Sequence, residues 1–171
     1  MDVTELILHQ HAEQRRMFAM LDEIPRDDTE TLGAVWKRLV ILLETHAEAE
    51  ELFVYPLLLR VGVGQADADD VEEEVEDAIK DHNEIRDGIR RAAQEDVGGD
   101  AWWEAVIDCR VANSDHMAEE ERQDLADFRR HTDLQTRHDV AIRFLRHEAL
   151  AAAYGVRPVD KDPEEFLERH S

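Results

Sequence analysis

Apolar side chains recur at alternating spacings of three and four along four long stretches of this chain, the periodicity of amphipathic helices. The first stretch runs from about Val3 to Ile24, with Ile7, Phe18 and Leu21 on one stripe, and Pro25 with the polar run Arg26-Asp27-Asp28-Thr29 ends it. The second runs from about Glu30 to Arg60 and carries Val35, Leu39, Leu42, Phe53 and Leu57. Pro56, late in that stretch, is expected to kink or loosen its last turn. The third runs from about Ala68 to Glu95, its seam traced by Val71, Val75, Ala78, Ile85, Ile89 and Ala92. Gly98-Gly99 closes it, and Asp100 is the expected N-cap of a fourth helix from Ala101 to about Arg130, with Trp102, Val106 and Cys109 inward. Four such stripes joined by short loops predict an all-α, antiparallel up-down-up-down four-helix bundle over residues 1–130. Residues 131–171 read as an extension: a further C-terminal helix from about Asp133 to Tyr154, with Val140, Phe144 and Ala151 on its apolar face, then a tail after Gly155.

Each bundle stripe runs into something polar at its middle. In the second helix Val35, Leu39 and Leu42 lead to His46; in the third Val71, Val75 and Ala78 lead to His82; in the fourth Val106, Cys109 and Asn113 lead to His116; the first reads Ile7, His11, Gln14, Phe18. These histidines are 35, 36 and 34 residues apart, so helices of similar length bring all four to one height in the bundle. Glu50 and Glu120 each stand one turn beyond a histidine and on the same face. Imidazoles and carboxylates are costly in a core unless partnered. Hydrogen bonds among the six would satisfy them, but a metal is the stronger solution, because it also neutralises the acids. Mixed imidazole and carboxylate donors suit iron, manganese or zinc, and two pairs of imidazoles with two carboxylates suit a pair of metals with the carboxylates bridging.

Composition narrows the classes. The formal charge is −22, from 42 acidic and 20 basic residues, which makes nucleic acid and anionic membranes poor partners. The one cysteine, Cys109, rules out an internal disulfide framework and a cysteine-based zinc site, and reads as a buried small hydrophobe. The start MDVTELILHQHAEQ lacks the features of a signal peptide, and no apolar stretch reaches membrane-spanning length, so a cytoplasmic setting is expected. The acidic run Asp67 to Asp77 is read as the solvated face of the third helix. His131, His138, His147 and His170 show no ligand spacing, and His9/Glu13 is a third instance of the His-x-x-x-Glu spacing, which is common by chance in helices this acidic.

The stretches LHQHAEQRRMF, LLETHAEAEELFVYPLL, IKDHNEIRDGI and SDHMAEEERQDL resemble the hemerythrin-like, or HHE cation-binding, family in the order H, HxxxE, H, HxxxE across about residues 3 to 130. The resemblance implies His11, His46, Glu50, His82, His116 and Glu120 as ligands of two iron ions bridged by carboxylates and an oxo or hydroxo group. Two departures stand out. Arg86 occupies the position where the oxygen-carrying members have a second histidine one turn after His82. Glu121 falls five residues after His116, where those members have their acid; Glu120 is preferred by analogy with His46/Glu50. Fewer histidines leave an iron more open, or filled by another donor, and Tyr55 is the candidate, although an ideal helix aims it away from the ligand face and packing is its simpler role. Ferritin-like bundles are excluded because the residues three before His46, His82 and His116 are Leu43, Ile79 and Asn113, not glutamate.

Function is then expected to be di-iron binding with reaction toward small oxidants, hydrogen peroxide or nitric oxide, in a peroxidase-like, catalase-like or nitric oxide-consuming role. The alternative is an oxygen- or iron-binding sensor without turnover, in which residues 131–171 serve as the surface for a protein partner.

Overall fold

The computed structural model describes residues 1–64 and 70–170, and eight helices with no strand occur among them. The four long bundle helices are α1 (Val3–Glu23), α2 (Thr29–Phe53), α4 (Val71–Ala92) and α5 (Asp100–Arg122). The short α3 (Tyr55–Val61) continues α2, and α6 (Asp124–His131) continues α5. The extension forms α7 (Leu134–Tyr154) and α8 (Pro163–His170). The start expected for the third helix, and the first part of the acidic run, lie outside the described residues.

Local chemistry explains the boundaries. Asp2, Asp28, Asp70 and Asp133 each accept a hydrogen bond from a backbone N–H in the first turn of the helix that follows. Asp100 is not the cap expected of it: Gly99 holds that position, and Asp100 is the first helical residue, paired with Arg26 at 3.0 Å on the surface. The expected loosening near Pro56 appears as a break at Val54, since proline has no N–H to continue the α2 ladder. The fourth helix likewise breaks at Gln123, which no sequence signal marked.

Two apolar clusters fill the bundle. One gathers Met17, Phe18, Leu21, Leu32, Trp36, Leu39, Leu43, Ile85, Trp102 and Val106, and the other Ile7, Ala49, Tyr55, Leu58, Val75, Ala78, Ile79 and Phe128. On α2 the buried stripe is Leu32, Trp36, Leu39, Leu43, His46, so Val35 and Leu42 sit on its half-buried shoulders instead of at its centre. Burying Trp36 places the stripe one position round from the aliphatic reading. α4 and α5 approach closely at Gly88, where an added Cβ would lie 2.6 Å from the Cβ of Cys109. The extension lies on the bundle: α7 packs on α1 and α2, α8 on α4 and α3, and Val140, Ala141, Phe144 and Phe166 join the second cluster. No helix among the described residues is long and apolar enough to cross a membrane.

Candidate metal centre

Between the two apolar clusters lies one polar layer. His11 from α1, His46 and Glu50 from α2, His82 from α4, and His116 and Glu120 from α5 meet there, all buried. The layer follows from the seam pattern: each histidine takes a core position on its stripe, and each glutamate follows one turn on along the same face. His11 Nε2 and His46 Nε2 face each other at 3.2 Å, and His82 Nε2 and His116 Nε2 at 3.1 Å. Glu120 Oε2 lies 3.1 Å from His11 Nε2 and 4.0 Å from His116 Nε2. Glu50 spans the pairs, with Oε1 3.0 Å from His46 Nε2 and Oε2 3.4 Å from His82 Nε2. Two ligand-like groups result, His11/His46/Glu50/Glu120 and Glu50/His82/His116, and Glu50 belongs to both. Donors held at about 2.0–2.2 Å from one cation stand about 3 Å from each other, the spacing seen here.

The other ring nitrogens explain the orientation. His11 Nδ1 is 2.9 Å from Glu121, His46 Nδ1 2.6 Å from Gln10 Oε1, His82 Nδ1 2.9 Å from Glu51, and His116 Nδ1 3.4 Å from Asp81. Each partner is the sequence neighbour of a residue in the cluster, and each serves the histidine of the next helix: Gln10 on α1 serves α2, Glu51 on α2 serves α4, Asp81 on α4 serves α5, and Glu121 on α5 serves α1. One residue is about 100° around a helix, and stepping back on a rising helix turns the same way as stepping forward on a falling one. The ring therefore closes around the bundle in one sense.

A carboxylate only accepts, so each Nδ1 that faces one is the protonated nitrogen, and the lone pair is left on Nε2. Gln10 works likewise, because its Nε2 donates to Glu148 at 2.8 and 2.9 Å and its carbonyl oxygen is turned to His46. All four Nε2 atoms then point into the layer.

Protonation fits the same picture. Burial, then the charge of His11, pushes His46 well below the usual imidazole range, and burial, then His116, holds His82 down to about 4. Both are neutral, as ligands require. Burial opposes the charge on His11, but hydrogen bonds to Glu120 and Glu121 outweigh it and raise its pKa. Burial and the neighbouring Glu120 push Glu50 well above the carboxylate range; burial acts the same way on Glu120, but His11 and the other imidazoles overcome it and hold that acid at about 2. Without a cation the two acids do not both ionise, and Glu50 Oε1 lacks a hydrogen-bond donor.

The structure also places the outlying candidates. Tyr55 is fully buried, its hydroxyl 3.3 Å from Glu120 Oε1 and 3.5 Å from Glu50 Oε2. An unbroken helix would turn it about 140° away from Glu50; the break at Val54 redirects it. Burial and both carboxylates push its phenol well above its usual range. Glu121 bonds His11 and Arg15 from the rim. Arg86 is buried, with Nη2 2.8 Å from Glu51 and Nε 3.3 Å from Glu44. Cys109 is buried away from the layer, its thiol pushed up to about 12 by desolvation. His9 is exposed, and His131, His147 and His170 pair with Asp127, Glu48 and the Phe166 carbonyl. The outer partners Gln10, Asp81, Glu51 and Glu148 went unread in the sequence; the first three were signalled as polar residues flanking a seam histidine or glutamate.

A family model, the hemerythrin HHE cation-binding domain, matches residues 2–128. The chain belongs to the hemerythrin HHE cation-binding family. A crystal structure of a hemerythrin HHE cation-binding domain-containing protein from Mycobacterium kansasii superposes with a TM-score of 0.72 at 16% identity, covering 100% of this chain and 99% of that one. At that identity it speaks for the fold alone. None of the curated proteins matches the chain.

Proposed function

We propose that this HHE protein holds two iron ions, for which His11, His46, Glu50, His82, His116 and Glu120 would be the ligands, and that the centre consumes small oxidants such as hydrogen peroxide or nitric oxide. The observation that carries the reading is the facing of Nε2 atoms at 3.2 and 3.1 Å in a buried layer, with every Nδ1 turned outward. Nitrogens so placed repel unless a proton or a cation lies between them, and a cation also neutralises the two acids.

Bound iron would supply an open coordination position and exchange of electrons with the oxidant. The chain's own residues set the rest. Each iron is offered two imidazoles, because the position one turn past His82 carries Arg86, which is engaged with Glu51 and Glu44. Tyr55 holds a phenolic proton beside both carboxylates, where it serves as a donor to a bound molecule or, once deprotonated, as a ligand. Access favours small molecules. A crevice between Glu74, Asp77 and Asp81 on α4 and Glu119, Glu120 and Asp124 on α5 and α6 reaches His116 and holds about 10 Å³, roughly one water. The apolar clusters on either side of the layer exclude bulk water.

The test is metal analysis of iron-loaded protein followed by oxygen evolution from peroxide and loss of nitric oxide, with His116→Ala as control. About two irons per chain and turnover lost in the control are expected. Reversible oxygenation without consumption would make the protein a carrier, and inertness toward oxygen, nitric oxide and peroxide would make it a sensor.

A further inference from the structure

The C-terminal extension reaches both halves of the centre. On one side Glu148 of α7 accepts both hydrogen bonds from Gln10 Nε2, and Gln10 Oε1 accepts from His46 Nδ1. On the other, Lys161, in the segment between α7 and α8, bonds Glu51 Oε2, while Glu51 Oε1 accepts from His82 Nδ1. We propose that Glu148 and Lys161 are positioning residues for the metal centre, each locking one histidine of one half-site through a single intermediate side chain. The inference rests on the reading of the histidine cluster as a metal site.

The argument is one of donors and acceptors. Gln10 alone can present either its oxygen or its nitrogen to His46, since the amide flips at little cost. Glu148 turns both carboxyl oxygens to Gln10 Nε2 as acceptors, which commits the Gln10 nitrogen outward and the oxygen inward. His46 must then protonate Nδ1 and present its Nε2 lone pair to the layer. In the second relay the fixed element is the Glu51 carboxyl, which meets donors on every side: Arg86 at 2.8 Å, the Lys161 ammonium, and His82 Nδ1 at 2.9 Å, from which it accepts. Arg86 Nη2 shares Oε1 with His82, and Lys161 takes Oε2, so removing Lys161 frees Glu51 to rotate toward Arg86.

The segment that delivers Lys161 is anchored apart from its ammonium. Asn83 donates to the Lys161 carbonyl at 2.7 Å and accepts from its N–H at 3.2 Å, and Asp160 pairs with Arg90 at 2.8 Å. α7 is seated by Phe144, whose ring meets the edge of His46 at 6.0 Å between centroids. The remaining histidines, His11 and His116, are held by Glu121 and Asp81 from within the bundle. Each half-site thus has one histidine held from inside and one held through the extension, which lies beyond the stretch the family model matches.

Cobalt(II) in the full chain is the probe, because the Nδ1–H protons of histidines bound to it give strongly shifted, exchangeable proton resonances. Four such signals are expected in the unaltered protein. Glu148→Gln should move one of them and Lys161→Met a different one, with the other two unchanged and Lys161→Arg restoring the second. Cobalt affinity should fall about threefold to tenfold in each variant, less than the ~10- to 100-fold typical of a direct partner of a ligand. Signals and affinity indifferent to both substitutions would overturn this inference alone. A shift of all four signals alike would mean a loosened bundle and would overturn it too. Failure of the unaltered protein to bind cobalt would overturn the metal reading, and this one with it.

Discussion

The Tyr55 hydroxyl lies 3.3 Å from Oε1 of Glu120, so a phenol five residues beyond Glu50 faces the carboxylate of another helix in the layer. If it ligates or donates there, Tyr55→Phe should keep the iron content but alter the chemistry. The oxidised iron-loaded protein should show a visible phenolate-to-iron band that vanishes in the variant, with slower peroxide turnover. A band that persists would return Tyr55 to packing. In the metal-free chain the lost hydrogen bond should cost about 1 kcal/mol, read in a denaturant melt.

His46→Ala or Glu50→Ala should lower bound iron sharply, since each removes a donor from the cluster and Glu50 belongs to both groups. His138→Ala, on the partly exposed side of α7, should leave iron unchanged. Equal loading in all three variants would sink the ligand assignment.

Chelation should lower the melting temperature. At free metal a hundredfold above the dissociation constant, binding to the native state alone adds about 2.7 kcal/mol, which for a chain of this size is roughly 5–10 °C. Superimposable melts for chelated and loaded protein would count against a central site.

Metal uptake should release protons. His11 and Glu50 both have raised pKa values in the metal-free chain, so each keeps its proton to higher pH than a free side chain does. A cation needs both lone pairs and displaces those protons, so acidification favours the metal-free form. Ferrous affinity measured without oxygen should therefore fall as pH drops from about 7 through the range of His11. A pH-independent affinity would show that these groups are not ligands.

Gly88→Ala should push α4 and α5 apart, because the new Cβ would lie 2.6 Å from the Cβ of Cys109 and 2.9 Å from its Cα, and backbone there cannot swing aside. The expected cost is about 1–3 kcal/mol. His82 and His116 sit on those two helices, so iron retention should weaken as well. A variant with unchanged melting and iron binding would show that the helices close with room to spare.

What the sequence determined by itself was the helical stripes, the level of four seam histidines and the pairing of His46 with Glu50 and His116 with Glu120. These are one-dimensional signals: a helix repeats every 3.6 residues, so position along the chain already states which side chains share a face. That Arg86 stands in place of a further histidine came instead from the resemblance to the oxygen-carrying family members. The partners that orient the rings were decided only by tertiary structure. Glu148 lies 138 residues from Gln10 and Lys161 110 from Glu51, and a surface glutamate or lysine reads the same whether it points to water or to a buried relay. The direction of Tyr55 was settled by the break at Val54, where a missing proline N–H let the chain turn by an amount no periodicity encodes. Glu120 and Glu121 are helix neighbours that face different sides, and packing sets Glu120 in the histidine layer and Glu121 against His11 from outside.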